Sequence, residues 1–199
     1  MKRFRSNGGY SLIEILVAMA VLGILGAMAV PMVASTTSGI KLRDQTNAIA
    51  DLVGLAKMRA TSTFSRTRVY ADVKAGTYVL QTRDSDTGVW SDDQAPVTLP
   101  FGVTFGWGDL DTAPPNTQAG DALKFAAECL EDDGDTPIEG SACVMFNSRG
   151  IPIDKKNSPL GGNAFYLTDG TGVRAVTITA TPVVRRWWSS AAKPNWVRE

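Results

Sequence analysis

A long apolar stretch near the N-terminus constrains the fold of this chain more than any other feature. Between Tyr10 and Val30 every residue is apolar or small except Ser11 and Glu14. Residues 15–34 carry no charge, and as a helix they would extend about 30 Å, the thickness of the hydrocarbon core of a bilayer. The stretch predicts a membrane-spanning helix, in which the carboxylate of Glu14 is costly to bury.

Basic residues precede this stretch and predict its orientation. Lys2, Arg3 and Arg5 come before it, and no acidic residue occurs before Glu14. By the positive-inside rule the N-terminus is cytoplasmic and the bulk of the chain lies beyond the membrane. Two alternatives stay open at this point. One is a secretory signal peptide cleaved at residues 27–29, although the stretch is long for one. The other is a plain signal anchor, which leaves Glu14 unexplained.

The composition narrows the classes of function. Lys and Arg together number 20, as do Asp and Glu, and histidine is absent. Serine–histidine and cysteine–histidine catalysis and histidine-ligated metals are therefore excluded. Ser62, Ser65 and Ser148 have no histidine partner, so we expect no enzymatic activity and no cofactor.

Cys129 and Cys143 are the only cysteines, and they flank a segment of acids, glycine and proline. In a reducing compartment they would be separate thiols. Beyond a membrane they could pair and close a loop of about 15 residues, which contributes about 3 kcal/mol in the chain-entropy model. Given the predicted export, we expect a structural disulfide.

The helical pattern continues past the membrane segment. Apolar residues recur at steps of three and four among charged ones, which predicts an amphipathic helix packed on a sheet. This helix would extend to about Phe64, with bends at Pro31 and Gly39. The apolar positions are Leu42, Ile49, Leu52, Val53, Ala56 and Ala60.

After Ser65 the apolar period changes to two, which predicts strands. "TRVYADV" and "TYVLQTR" flank a hairpin turn at Gly76, and "DSDTG" makes another turn. One long helix followed only by strands predicts an α+β fold with antiparallel sheets. Further strands are predicted at "VTL", "GVTFGW", "LKFA", "ACVMF", "AFYLTD" and "GVRAVTITATPVV".

The segment "GYSLIE" at residues 9–14 resembles the class III signal of type IV pilins and type II secretion pseudopilins. Gly23 and Pro31 fall where that superfamily places helix-loosening and kinking residues. The resemblance implies that a prepilin peptidase cuts after Gly9 and methylates the new amine of Tyr10. It further implies that Glu14 pairs with the amine of a neighbouring subunit and so fixes the assembly register.

A second, shorter resemblance covers the rest of the chain. "LVGLAKMRATSTFSRTRVYADV", "VMFNSRGIP" and "VRAVTITATPVVRRW" resemble segments of the pseudopilin H and FimT/FimU group of minor pilins. This resemblance implies two packed antiparallel sheets that cap the helix. The predicted organisation is a cleaved leader (1–9), a transmembrane and assembly helix (10–34), an amphipathic helix (35–66) and an exported β domain (67–199).

The C-terminal segment "VVRRWWSSAAKPNWVRE" interleaves cations with tryptophans. Cations bind phosphates and indoles stack on bases, so this combination suits DNA, which some FimT-like pilins bind. The alternative is that the tryptophans dock the segment on the sheet. The candidate DNA-binding residues are Arg185, Arg186, Trp187, Trp188, Lys193, Trp196 and Arg198.

The loop between the cysteines contains five acids within residues 131–139 and is a candidate calcium site, with Asp132, Asp133 and Asp135 as ligands. Its spacing is not that of an EF-hand, and a solvated acidic turn is the commoner explanation for such a loop.

These observations predict a structural minor pilin or pseudopilin that is built into, or caps, a type IV pilus or a type II secretion pseudopilus. Before assembly it would be a single-pass protein of the bacterial inner membrane with its globular domain in the periplasm. The implied partners are other pilin or pseudopilin subunits, the prepilin peptidase and the inner-membrane assembly platform. The alternatives are a DNA-binding pilin of natural transformation and an anchored exported domain unrelated to filaments.

Overall fold

The computed structural model describes residues 11–191 and 195–199, and within residues 28–36 it describes the backbone alone. The chain divides between Thr37 and Ser38 into two compact units. The first unit contains the start of a single long helix, α1 (Leu12–Thr63), and the second contains the rest of α1 and all the strands. The predicted α+β class is confirmed.

The part of α1 in the second unit buries the apolar positions that the sequence pattern predicts. Leu42, Ile49 and Val53 are almost completely buried, and so are Ala56 and Ala60 one and two turns further along. They belong to the main hydrophobic core, which α1 forms with both sheets. The helix ends at Thr63 and is followed by Phe64, which has a positive φ of 54°.

The first sheet has the order β3-β2-β1-β6-β7, with β4 also paired to β2, and each pairing is antiparallel. The predicted hairpin joins β1 to β2, and Gly76 in its turn has a φ of 67° that favours glycine. The strands are β1 (Thr67–Asp72), β2 (Thr77–Arg83), β3 (Trp90–Asp92), β4 (Val97–Thr98), β6 (Ser141–Phe146) and β7 (Pro152–Ile153).

The second sheet has the order β11-β10-β9-β8-β5 and is also antiparallel. One of its faces joins the main core, and the other carries a smaller core around Tyr166 and Trp187. The strands are β5 (Thr104–Phe105), β8 (Asn163–Thr168), β9 (Gly172–Ile178), β10 (Val184–Ser190) and β11 (Val197–Arg198).

Two strand predictions were wrong. Residues 123–126 ("LKFA") do not form a strand, because the Lys124 amide bonds to the side chain of Gln118 and only Ala126 bonds to the sheet, at Ala164. The segment "GVRAVTITATPVV" is not one strand, because a turn closed by Thr179 and Val183 separates β9 from β10.

Candidate assembly helix and C-terminal strands

Ser11 caps the N-terminus of α1. The hydroxyl of Ser11 accepts a hydrogen bond from the amide of Glu14 at 3.2 Å, and the carbonyl of Ser11 accepts from Glu14 and Ile15. Ser and Glu three residues apart have the spacing of a capping box. A carboxylate in the first turn also stabilises the helix dipole. Glu14 therefore lies where its charge favours the helix dipole, which we did not predict, beside its predicted role in assembly.

The first turns of α1 expose a large apolar surface. The side chains of residues 11–27 are all exposed. Exposed apolar surface of this extent marks a site of protein or membrane interaction. The large exposed residues are Leu12, Ile13, Ile15, Leu16, Val17, Met19, Val21, Leu22, Ile24 and Leu25. Within the described residues, no helix meets the combined length and hydropathy expected of a membrane span.

The other residues of the predicted signal are placed only in part. Gly9 and Tyr10 lie outside the described residues. Helix α1 runs through Gly23 and Pro31 as a single element, so the kinks expected at these two positions stay predictions.

The structure contains the predicted disulfide between Cys129 and Cys143. The bridge connects residues 127–139, which we name the clasp loop, to β6. Cys143 lies on the outer face of the first sheet, which points away from the main core. The amide of Cys129 also donates to the hydroxyl of Ser141 at 2.9 Å. The bridge and this bond together fix one end of the clasp loop.

The candidate calcium ligands have other partners in the clasp loop. Asp133 closes a turn: its carboxylate accepts from the Asp135 and Thr136 amides and from the Thr136 hydroxyl, and these bonds lower its pKa to about 2. Asp132 accepts from the amide of Trp90, and Asp135 pairs with Lys155 at 3.7 Å. Within the described residues no three acids or cysteines lie close enough together to hold a metal. Calcium binding stays a prediction.

Trp187 is unsuited to the DNA-stacking role proposed from the sequence. Its side chain is only 7% exposed, in the smaller core beside Tyr166, and its indole N–H donates to the Thr177 hydroxyl at 2.9 Å. A buried ring cannot stack on a base, so that part of the prediction was wrong. Burial also raises the pKa of Tyr166, whose hydroxyl donates to Gln118 at 2.8 Å.

Two further candidates also contact the protein itself. The indole N–H of Trp196 donates to the carbonyl of Thr112 at 2.8 Å, and its ring lies 6.2 Å from that of Tyr166. Arg186 donates to the side chain of Asn47 in α1 at 2.9 Å. The C-terminal segment is therefore an integral part of the second sheet.

Arg185 and Arg198 lie on the face of the second sheet that carries the smaller core, because Arg198 pairs with Trp187 and side chains alternate along a strand. Arg198 is exposed and Arg185 is half-buried. Trp188 is 38% exposed on the opposite face. Lys193 lies outside the described residues.

Sequence reasoning missed Arg68, a charged residue that is only 5% exposed. The signal was available: "TRVYAD" has its arginine at a position that a fully buried strand would give to an apolar residue.

Residues 4–30 match the family model described as the prokaryotic N-terminal methylation motif. This match confirms the resemblance of the N-terminal segment to the type IV pilin and pseudopilin superfamily. It supports a membrane-anchored subunit of the pilin type. No curated protein matches the chain significantly.

Two solved structures of the minor pseudopilin EpsH from the type II secretion system of Vibrio cholerae are similar to this chain. The first is 16% identical in sequence with a TM-score of 0.44, and the aligned region covers 73% of this chain and 94% of the EpsH chain. The second is 15% identical with a TM-score of 0.45, and the aligned region covers 73% of this chain and 95% of the EpsH chain. Similarity of this degree is too low to transfer a function.

Proposed function

We propose that this chain is a structural, non-catalytic minor pilin or pseudopilin, which is built into or caps a type IV pilus or a type II secretion pseudopilus. The observation that carries the proposal is the methylation motif in residues 4–30. The apolar surface that α1 exposes from Leu12 onward supports it, because a surface of this kind needs a membrane or neighbouring helices to cover it.

In this proposal the prepilin peptidase cleaves between Gly9 and Tyr10 and methylates the amine of Tyr10. The protein waits in the inner membrane with its β domain in the periplasm, and the assembly platform then passes it into the filament. The carboxylate of Glu14 pairs with the amine of a neighbouring subunit. In a medium of low dielectric constant this attraction offsets much of the cost of removing both charges from water.

Mass spectrometry of the mature protein tests the processing step. The expected first residue is N-methylated Tyr10. A protein that begins at Met1, or after residue 29, would contradict the proposal.

Two substitutions of Glu14 separate assembly from helix capping. Glu14→Gln removes the charge and keeps a residue that a capping box accepts, whereas Glu14→Val removes both. If pairing is the essential role, both variants insert into the membrane and both are lost from sheared filaments. Normal incorporation of Glu14→Gln would contradict the pairing role of its charge.

A DNA-binding pilin of natural transformation is the second candidate. Arg185 and Arg198 on one face of the second sheet favour it, since two neighbouring cations can contact adjacent phosphates. The dependence of DNA binding on salt concentration distinguishes the two functions.

A further inference from the structure

A cavity of about 330 Å³ lies against the outer face of the first sheet. The clasp loop forms one wall, and the segment that follows β7 forms another. Most of the lining is apolar, from Trp90, Leu130, Met145, Ile153 and Leu160. We name this cavity the Arg68 pocket, because Arg68 of β1 is its most buried charged residue.

Arg68 is held firmly in place at this cavity. Its Nε donates to Gln81 at 2.6 Å, and its Nη1 donates to the carbonyl of Leu130 in the clasp loop at 2.5 Å. The guanidinium carbon lies 4.1 Å from the centroid of the Trp90 ring, within the range of a cation–π contact. The side chain is therefore already positioned for a ligand and loses little entropy when one binds.

The charge of Arg68 has no anion in contact. Among the described residues, no carboxylate oxygen lies within 4.0 Å of the Arg68 guanidinium, the limit for an ion pair. Gln81, which accepts from Arg68, donates in turn to Asp92, so a neutral amide separates the two charges. Burial lowers the pKa of Arg68 to about 10, which leaves it charged at neutral pH. Asp132 and Glu131 of the clasp loop attract this charge from beyond ion-pair distance. A carboxylate from outside, in direct contact with the guanidinium, would further offset the cost of burying it.

The other charges of the lining do not block such a ligand. Asp135 is paired with Lys155, and the carboxylate of Asp154 accepts from backbone amides of its own turn. Glu128 is exposed to solvent. The remaining two, Arg66 and Arg83, are cations.

We propose that the Arg68 pocket binds an apolar side chain next to a carboxylate on a peptide segment of a neighbouring filament subunit. The volume is at the low end for small-molecule sites, which suits one or two side chains. Exposed residues at Ala127 and Pro137 let an extended chain lie across the opening. This inference rests on the proposed function, since it names the partner as another subunit.

The probe that tests the chemistry is N-acetyl-phenylalanine, with N-acetyl-phenylalaninamide as its neutral counterpart. Both are titrated into the full-length protein in detergent and followed by tryptophan fluorescence, to which Trp90 contributes. We expect the acid to bind at least about tenfold more tightly, the value of one hydrogen-bonded charge pair. Detergent micelles favour the neutral amide, so they cannot produce this preference. Equal binding of the two probes would overturn the proposal.

Variants locate the binding. Leu160→Trp fills the cavity and should abolish binding of the acid, while Arg68→Lys keeps a charge and should retain part of the preference. Arg149→Gln, outside the cavity lining, is the control and should bind as the wild type does. Unchanged binding by Leu160→Trp, in a protein whose melting temperature is also unchanged, would overturn the assignment of the site.

Incorporation into filaments tests the partner separately. Leu160→Trp should be processed normally but be depleted at least about tenfold from sheared filaments, because its docking pocket is filled. Normal incorporation would overturn the assignment of the partner to another subunit. If the wild type itself never enters filaments, the proposed function fails, and the probe titration still reports on the pocket alone.

Discussion

The buried indole of Trp187 illustrates how one residue joins the C-terminal strands to the body of the protein. The ring lies in the smaller core, and its N–H bonds to Thr177 on the neighbouring strand β9. We expect Trp187→Ala to lower the free energy of unfolding by about 3–5 kcal/mol, as for other large buried aromatics. Trp188→Ala, which removes a ring that is 38% exposed, is the control and should cost much less. If thermal unfolding shows the same loss of stability for both variants, the packing role of Trp187 is contradicted.

Asp133 makes the stability of the clasp loop dependent on pH. Hydrogen bonds lower its pKa from 3.8 to about 2, so the unfolded state binds a proton more readily than the folded state. The stabilisation is fully present above pH 4 and is lost as the pH falls from about 4 to about 2. We expect Asp133→Asn to reduce the melting temperature at pH 7, and the difference from the wild type to shrink as the pH falls towards 2. Asp111→Asn is an exposed control. A difference between the wild type and Asp133→Asn that is as large at pH 2 as at pH 7 would refute this origin of the stability.

At the scale of elements, the disulfide links the clasp loop to β6. Its cysteines are 14 residues apart, for which the chain-entropy model gives about 3 kcal/mol. We expect reduction to lower the melting temperature, and the oxidised protein to migrate faster than the reduced one on a gel. The double variant Cys129→Ser with Cys143→Ser should be insensitive to reductant. Free thiols in freshly purified protein would show that the bridge does not form in the cell.

The turn between β6 and β7 packs directly against α1 at Gly150. This glycine has a φ of 71°, and a Cβ there would lie 3.0 Å from Cγ of Lys57 and 3.2 Å from Cγ2 of Thr61. Gly170 has a φ of 82° with open space around it, so Gly170→Ala is a matched control for backbone strain alone. We expect Gly170→Ala to cost about 1–2 kcal/mol and Gly150→Ala to cost more. If chemical unfolding gives the same loss of stability for both variants, the side chains of α1 move aside at Gly150 without a cost in free energy.

Local patterns explain which elements could be predicted from the sequence. The step of three and four residues identified Leu42 to Ala60 as the buried stripe of α1, and Gly76 marked the first hairpin. Strand β3 was missed, because Trp90–Asp92 is largely polar and is a strand only through its pairing with β2. The Arg68 pocket could not be predicted, because it needs β1, the clasp loop and the residues after β7 to meet in space.

At the scale of the whole molecule, the chain has two kinds of surface with different requirements. The first unit exposes apolar side chains from Leu12 onward, which favours a membrane or neighbouring helices. The second unit buries its apolar side chains in two cores and places Arg185 and Arg198 on the sheet face that carries the smaller core. The first surface supports assembly, and the second is the remaining basis for DNA binding.

The dependence of DNA binding on salt distinguishes these two functions. Trp187 is buried and Arg186 is bonded to Asn47, so neither is available to DNA. Of the candidate residues in the C-terminal segment, the cations that could contact phosphates are therefore Arg185, Arg198 and Lys193. Each phosphate contact contributes about −0.9 to the slope of log affinity against log salt, so three give roughly −3. We expect the full-length protein in detergent to shift duplex DNA only at low salt, with a slope no steeper than this. Arg185→Gln with Arg198→Gln should reduce the slope to roughly −1 and leave the melting temperature unchanged, whereas the control Arg149→Gln should keep the wild-type slope. Binding that persists at physiological salt with a slope steeper than about −4 would require a larger basic surface than these strands offer, and would favour DNA uptake over a purely structural role.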